Sequence, residues 1–267
     1  MKRVLVVFMG LLLLHCKQEQ KEPKAVLKEE IIEELVEPVK PEDTEFYSPV
    51  PPTVHPTGQN GAPSDAIVLF DGSNLDAWAP VNYDGAVTWI LDKNDKSMIV
   101  HRTNDTLNAT IKSKRKFGSV QLHLEWKSPK HIKGDGQNRG NSGVFLQERY
   151  EVQILDNNNN DTYVNGQVGS VYKQSVPLAK ASVPTGQWNS YDIIYHAPEF
   201  NQEGEKTKAA TITVLHNGVL IQDHFEIKGT TEYIGWPKNK PHGDGSIILQ
   251  DHGSPVSYRN IWVRELN

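Results

Sequence analysis

From residue 65 onward the sequence predicts an all-β fold, two antiparallel sheets packed as a sandwich, behind a disordered N-terminal tether. Three observations carry that expectation. Short β-rich runs recur between turn residues, no sustained helical periodicity separates them, and tryptophan and proline are segregated along the chain. All six tryptophans lie between Trp78 and Trp262, whereas eight of the sixteen prolines lie between Pro23 and Pro63. At 267 residues and 37% hydrophobic, the chain can bury a sizeable core. A formal net charge of −5 provides no basic surface, so no nucleic acid is expected as a partner.

The N-terminus reads as a targeting segment. Lys2 and Arg3 precede an apolar run from Val4 to Leu14, which has the length of a signal core rather than of a membrane span. The run ends at Cys16, the only cysteine, so the chain can form no internal disulfide. Leu13-Leu14-His15-Cys16 resembles a bacterial lipobox, with His15 where a small residue is usual. Residues 1–16 are therefore expected to be a signal peptide with Cys16 as lipid anchor, placing an exported protein in the cell envelope; an ordinary secretory signal is the alternative. Residues 17–64 are rich in Lys, Glu and Pro and cannot bury enough apolar surface to offset their ordering entropy. They are expected to be a linker, in which residues 28–37 could form one short amphipathic helix through Ile31, Ile32 and Leu35.

The domain, residues 65–267, is read from its strands. Runs at 66–70, 88–91, 97–101, 120–126, 143–147, 150–155 and 188–196 are followed by a hairpin over 211–227. Asn217-Gly218 supplies the hairpin turn, and runs at 246–250 and 256–264 close the fold. Alternation then separates the faces. Val120, Leu122, Leu124 and Trp126 share one side of their strand, opposite Gln121, His123 and Glu125. Tyr150, Val152 and Ile154 oppose Glu151 and Gln153, while Ile247 and Leu249 oppose Gln250 and His252. Carboxylates, amides and imidazoles on three strands suggest a lined groove, although each face taken singly fits an ordinary solvated surface.

Two polar loops suggest ligand sites without meeting their requirements. The run Gly134 to Gly143 lacks the Gly-Lys-Ser/Thr ending and leads into a strand, so it is no phosphate loop. Asp156-Asn157-Asn158-Asn159-Asn160-Asp161 has Asp161 and Gln167 where a calcium loop of the helix–loop–helix type needs glycine and glutamate. An Asx-rich turn explains it better. The ten histidines show no HExxH spacing, and a single cysteine makes no thiolate zinc site.

Six segments in order then resemble one family. Phe70-Asp71-Gly72-Ser73-Asn74-Leu75-Asp76-Ala77-Trp78 is similar to the opening motif of the 3-keto-disaccharide hydrolases. Arg139-Gly140-Asn141-Ser142-Gly143-Val144-Phe145, Tyr150 to Asp156, Gly186 to Asn189 with Tyr191, His216-Asn217-Gly218, and Leu249 to Gly253 running into Tyr258 to Trp262 follow. The resemblance spans residues 66–265. It implies a concanavalin-like jelly roll and a carbohydrate substrate, a glycoside already oxidised to a ketone at C3.

Such a ketone acidifies the C2 proton, so the glycosidic bond can break by proton abstraction and loss of the C1 substituent, followed by hydration. The chemistry needs a base near C2, an electrophile at the C3 oxygen and an acid for the departing oxygen. Glu151 is the candidate base, and Arg139 or Asn141 would face the enolate oxygen. His252 and Glu125 are candidate acids, or ligands if a divalent metal replaces the arginine. Gln153, Gln250, Asp156 and Trp78 complete the candidate substrate contacts; a turn role for Arg139, Asn141 and Asp156 and a core role for Trp78 are the alternatives. No cofactor is required by the sequence, and oligomeric state is not legible in it. Two other function classes fit: a non-catalytic lectin-like module, and a glycosidase using Glu125 and Glu151 as paired carboxylates if their strands are neighbours.

Overall fold

The computed structural model describes residues 37–58 and 61–266. The signal segment, Cys16 and nearly all of the expected helix at 28–37 lie outside the described residues. The chain divides at Pro51 into two compact units. Within the first, the described part holds one 3₁₀ turn, Pro41–Thr44, and its aromatics Phe46 and Tyr47 are exposed. The second unit starts at Pro52, inside the stretch expected as linker. Ala62 is buried there, and the Ser64 N–H donates to the His55 carbonyl at 2.9 Å.

Among the described residues, fifteen strands build this unit: β1 (Ile67–Phe70), β2 (Trp78–Pro80), β3 (Ile90–Asp92), β4 (Ser97–Ile99), β5 (Ile111–Phe117), β6 (Val120–Lys127), β7 (Ser142–Leu146) and β8 (Tyr150–Ile154), then β9 (Asn189–His196), β10 (Glu199–Phe200), β11 (Lys206–Lys208), β12 (Thr211–His216), β13 (Val219–Glu226), β14 (Gly245–Leu249) and β15 (Ser257–Glu265). They form an antiparallel sandwich of the concanavalin-like jelly-roll class. The larger sheet has the order β13-β12-β9-β6-β15-β4-β3, with β1 also on β15; the smaller has the order β2-β5-β14-β7-β8. Its inner faces meet in a core that includes Leu122, Leu124, Trp126, Tyr191 and Ile193 from the large sheet and Val144, Val152, Ile154 and Leu249 from the small one.

Strand β6 alternates between buried and half-buried residues along its whole length, as its sequence requires. The β12–β13 turn falls on Asn217 and Gly218, both at positive φ, in keeping with the Asn-Gly signal. Strand β8 breaks the pattern: all five of its residues are buried. The segment after it folds back along its free edge, where the Gln153 N–H donates to the Ser170 carbonyl at 3.0 Å and the Tyr172 N–H to the Glu151 carbonyl at 3.1 Å. An edge that would otherwise expose unpaired amides is thereby covered, and the outer face of β8 becomes the floor of a depression rather than open surface.

Candidate functional site

Glu151 and Gln153 project from the outer face of β8. In register beside them on β7 stand Phe145 opposite Glu151 and Gly143 opposite Gln153. Gln250 continues the row, its N–H donating to the Gly143 carbonyl at 3.0 Å. A hollow of about 540 Å³ opens over this row, walled also by Gln137, Asn141, Tyr163, Tyr172, Lys173, Thr231, Tyr233 and His252. Of the residues singled out in the sequence, Glu151, Gln153, Asn141, Gln250 and His252 are brought together here.

The middle of the row is a glycine for a steric reason. A Cβ on Gly143 would lie 3.1 Å from the Glu151 Cδ and 3.2 Å from its Cγ, with Oε1 closer still. Its φ is not among the left-handed ones, so backbone freedom does not explain the choice. The missing side chain is the space in which the Glu151 carboxyl lies.

Glu151 as a residue is 5% exposed, and the described residues offer its carboxyl no hydrogen bond. Burial alone pushes its pKa up to about 8. Around it, the amide nitrogens of Gln153 and Asn141 are committed and their oxygens are not. The Gln153 Nε2 donates to Gln137 Oε1 and to the Gly166 carbonyl, and the Asn141 Nδ2 donates to the Gln137 carbonyl. Those bonds fix which way the Gln153 and Asn141 amides point. The oxygens Asn141 Oδ1, Gln153 Oε1 and Gln250 Oε1 are all buried without a partner. Three orphaned acceptors at one hollow are costly unless a ligand brings donors. The opposite wall is cationic: the Lys173 Nζ donates to the Tyr233 carbonyl and sits 5.8, 5.4 and 4.6 Å from the ring centres of Tyr163, Tyr172 and Tyr233.

The residues that could hold a divalent ion are Glu151, His252 and the three amide oxygens, a mostly hard-oxygen set. Among the described residues no group of three or more His, Cys, Asp or Glu side chains forms a metal cluster.

Four expected site residues lie elsewhere. Glu125 belongs to β6 in the large sheet, whereas Glu151 is on β8 in the small one. Both point away from the core, so the thickness of the sandwich separates them and the paired-carboxylate geometry does not form. Glu125 is instead bound by Arg259 Nε at 2.7 Å and Asn260 Nδ2 at 2.9 Å. Although burial pushes its pKa up, bonds to His123, Asn260 and Arg259 hold it well below the usual carboxylate range, which removes it as an acid. Alternation reported its outward direction correctly and could not report its sheet. Arg139 pairs with buried Asp156 at 3.2 Å, and Asp156 Oδ1 also accepts the Asn158 N–H at 3.1 Å. Both residues therefore organise the Asx turn of the asparagine-rich loop. Trp78 is 2% exposed, with Nε1 donating to the Leu69 carbonyl at 2.9 Å. It is a core residue, and Trp78→Ala is expected to cost about 3–5 kcal/mol in denaturant unfolding. A variant of wild-type stability would contradict that role.

Lys173, Tyr163, Tyr172, Tyr233 and Gln137 were not singled out by the sequence. They sit on irregular loops where no periodicity marks a face; the clustering of Tyr163, Tyr172 and Lys173 within eleven residues of the chain was the available signal.

Comparison with known proteins identifies the family. Residues 65–264 match the family described as the 3-keto-alpha-glucoside-1,2-lyase-like domain. The 3-keto-disaccharide hydrolase of Bacteroides thetaiotaomicron is 24% identical over 246 residues, covering 75% of this chain and 78% of that protein. A crystal structure of a candidate glycosyl hydrolase from Parabacteroides distasonis ATCC 8503 superposes with a TM-score of 0.78 at 52% identity, covering 85% of this chain and 97% of the other. A second structure from the same organism shares the fold at 20% identity, with a TM-score of 0.53 over 76% of this chain and 94% of the other. With the family match running from the first strand to the last, the chain belongs to the 3-keto-alpha-glucoside-1,2-lyase-like domain family.

Proposed function

We propose that this protein cleaves the glycosidic bond of 3-keto-glycosides, including 3-keto-disaccharides, with Glu151 as the base that removes the C2 proton. The observation that carries this is a buried, unbonded carboxyl whose pKa is raised to about 8, on the floor of a hollow lined by unpartnered acceptors. A carboxylate made more basic by desolvation is better matched to a carbon acid beside a ketone than one at the ordinary pKa. The amide oxygens of Asn141, Gln153 and Gln250 would accept sugar hydroxyls. Each hydroxyl so bound also relieves a buried acceptor, which discriminates against ligands lacking it.

The Glu151 carboxylate takes the C2 proton and the electrons move to the C3 oxygen as an enolate. Lys173, whose ammonium keeps further N–H donors after its bond to Tyr233, is the cation available to that oxygen in place of Arg139. The enolate collapses, the C1–O bond breaks, and the departing oxygen receives a proton, which His252 in the wall of the hollow would supply. Water then adds to the enone, hydroxyl to C1 and hydrogen to C2, returning the 3-keto sugar. A divalent ion on the donors named above would supply further polarisation of the ketone. Within the described lining of the hollow Glu151 is the one carboxylate, which disfavours a two-carboxylate glycosidase. The signal-like N-terminus and Cys16 support export to the cell envelope with a lipid anchor.

The test is incubation with a 3-keto-glucoside and with its unoxidised parent, each with and without chelator. Turnover of the ketone alone is expected. Turnover of both would favour a conventional glycosidase, and binding without turnover a lectin-like module.

A further inference from the structure

We propose that a second depression, beside Trp236, is the subsite for the leaving-group half of the substrate, and that it takes a second sugar ring. The proposal rests on the 3-keto-glycoside function above. The depression, about 410 Å³, is lined by Asn165, Gln174, Glu232, Gly235, Trp236 and Pro237, and it shares Tyr163, Tyr172 and Lys173 with the hollow over Glu151. The two cavities are thus halves of one cleft with a common wall. A ligand longer than one ring, seated with its reacting carbon over Glu151, would run across that wall.

One loop along the cleft carries an exposure that the fold does not require. Tyr233, Ile234 and Trp236 are 74%, 81% and 88% exposed, side by side on one loop. That loop is pinned at its neck. The Thr230 N–H donates to the Lys238 carbonyl at 2.9 Å, and the Lys238 N–H returns to Thr230 Oγ1 at 3.2 Å. Gln174 clamps the base, donating to the Gly229 carbonyl and accepting the Lys228 N–H, each at 2.9 Å. A Cβ on Gly229 would lie 2.6 Å from the Lys238 carbonyl oxygen, so the neck closes only around glycine. An indole held out in this way beside Glu232 and Asn165 offers a flat apolar face with polar groups at its edge. A pyranose presents the complementary surface, with C–H bonds on its face and hydroxyls around its rim. Pockets for small ligands are built from that combination.

Trp236→Ala and Trp236→Phe separate this role from others. The measured quantity is the ratio of kcat/KM for a 3-keto-disaccharide to that for the methyl 3-keto-glucoside, which has no second ring. The ratio is expected to fall about tenfold in Trp236→Ala, through KM for the disaccharide, and to recover substantially in Trp236→Phe. An unchanged ratio overturns the subsite. Should the wild-type protein turn over neither substrate, the function proposed above fails separately. Calorimetric dissociation constants of the same two ligands then decide the subsite: a loss in Trp236→Ala confined to the disaccharide supports it, and an equal loss or none overturns it.

Discussion

Glu151→Gln is expected to lower turnover of a 3-keto-glycoside by about 10²–10⁴-fold, the usual contribution of a positioned base, while the protein stays folded. The amide fills the same space and has no charge to desolvate. The pH dependence follows from the same burial. Glu151 must be ionised to act, so wild-type kcat/KM should rise with pH up to about 8 and then level. Stability moves the opposite way. An acid whose folded pKa is raised keeps its proton after the unfolded chain has lost it, so folding becomes less favourable as pH rises from the ordinary value of 4.5 to about 8. Below that window the contribution to stability is fully present, and above it the loss is complete. Glu151→Gln lacks the loss, so it should match wild type near pH 4 and exceed it in melting temperature near pH 9. Equal melting temperatures at both ends would mean that the carboxyl is solvated.

The second large effect is expected at a residue that touches no substrate. Gly143→Ala places a methyl group where the Glu151 carboxyl lies, against Oε1 and 3.1 Å from Cδ. The backbone there is compatible with alanine, so the carboxyl must give way. Displacing a reacting group by about 1 Å can cost about 10²-fold, and kcat should fall by that order. A Glu151→Gln background distinguishes positioning from general damage. Once the base is gone, adding Gly143→Ala should cost little further activity, because the two residues act through one group. Multiplicative losses would show that Gly143 serves the fold and not the carboxyl. The pH at which the residual activity levels should also move, since a displaced carboxyl is differently desolvated.

Alternation carried the sequence reading furthest where strands are regular. The faces of β6, β8 and β14 followed from period two, and with them the association of Glu151 with Gln153 and of Gln250 with His252. Strand β5 was missed because its sequence, Ile-Lys-Ser-Lys-Arg-Lys-Phe, hides three inward residues, Ile111, Ser113 and Phe117, among charges that face water. Strand β2 ends in proline, which no strand pattern favours, and it survives at the edge of the small sheet where one side needs no donor. Glu125 shows the other limit. Local period fixes a side chain's face but not the sheet that owns the strand, and only the long-range order of strands separates Glu125 from Glu151. The aromatic and cationic wall lies on loops whose course is set by hydrogen bonds such as Gln137 to Gly166 and Gln174 to Gly229, which sequence spacing does not encode. Gly143 opens the run expected as a strand, and period two says nothing of why a glycine stands there; the reason is the carboxyl of a neighbouring strand.

The proposed cleavage passes through removal of the C2 proton by Glu151. Turnover of a 3-keto-disaccharide in deuterium oxide reads this directly, with enzyme-free and Glu151→Gln samples as controls for spontaneous exchange. One solvent deuterium is expected at C2 of the released 3-keto sugar, at a level far above both controls. A product that keeps its original hydrogen at C2 would place cleavage at C1 alone and contradict this route.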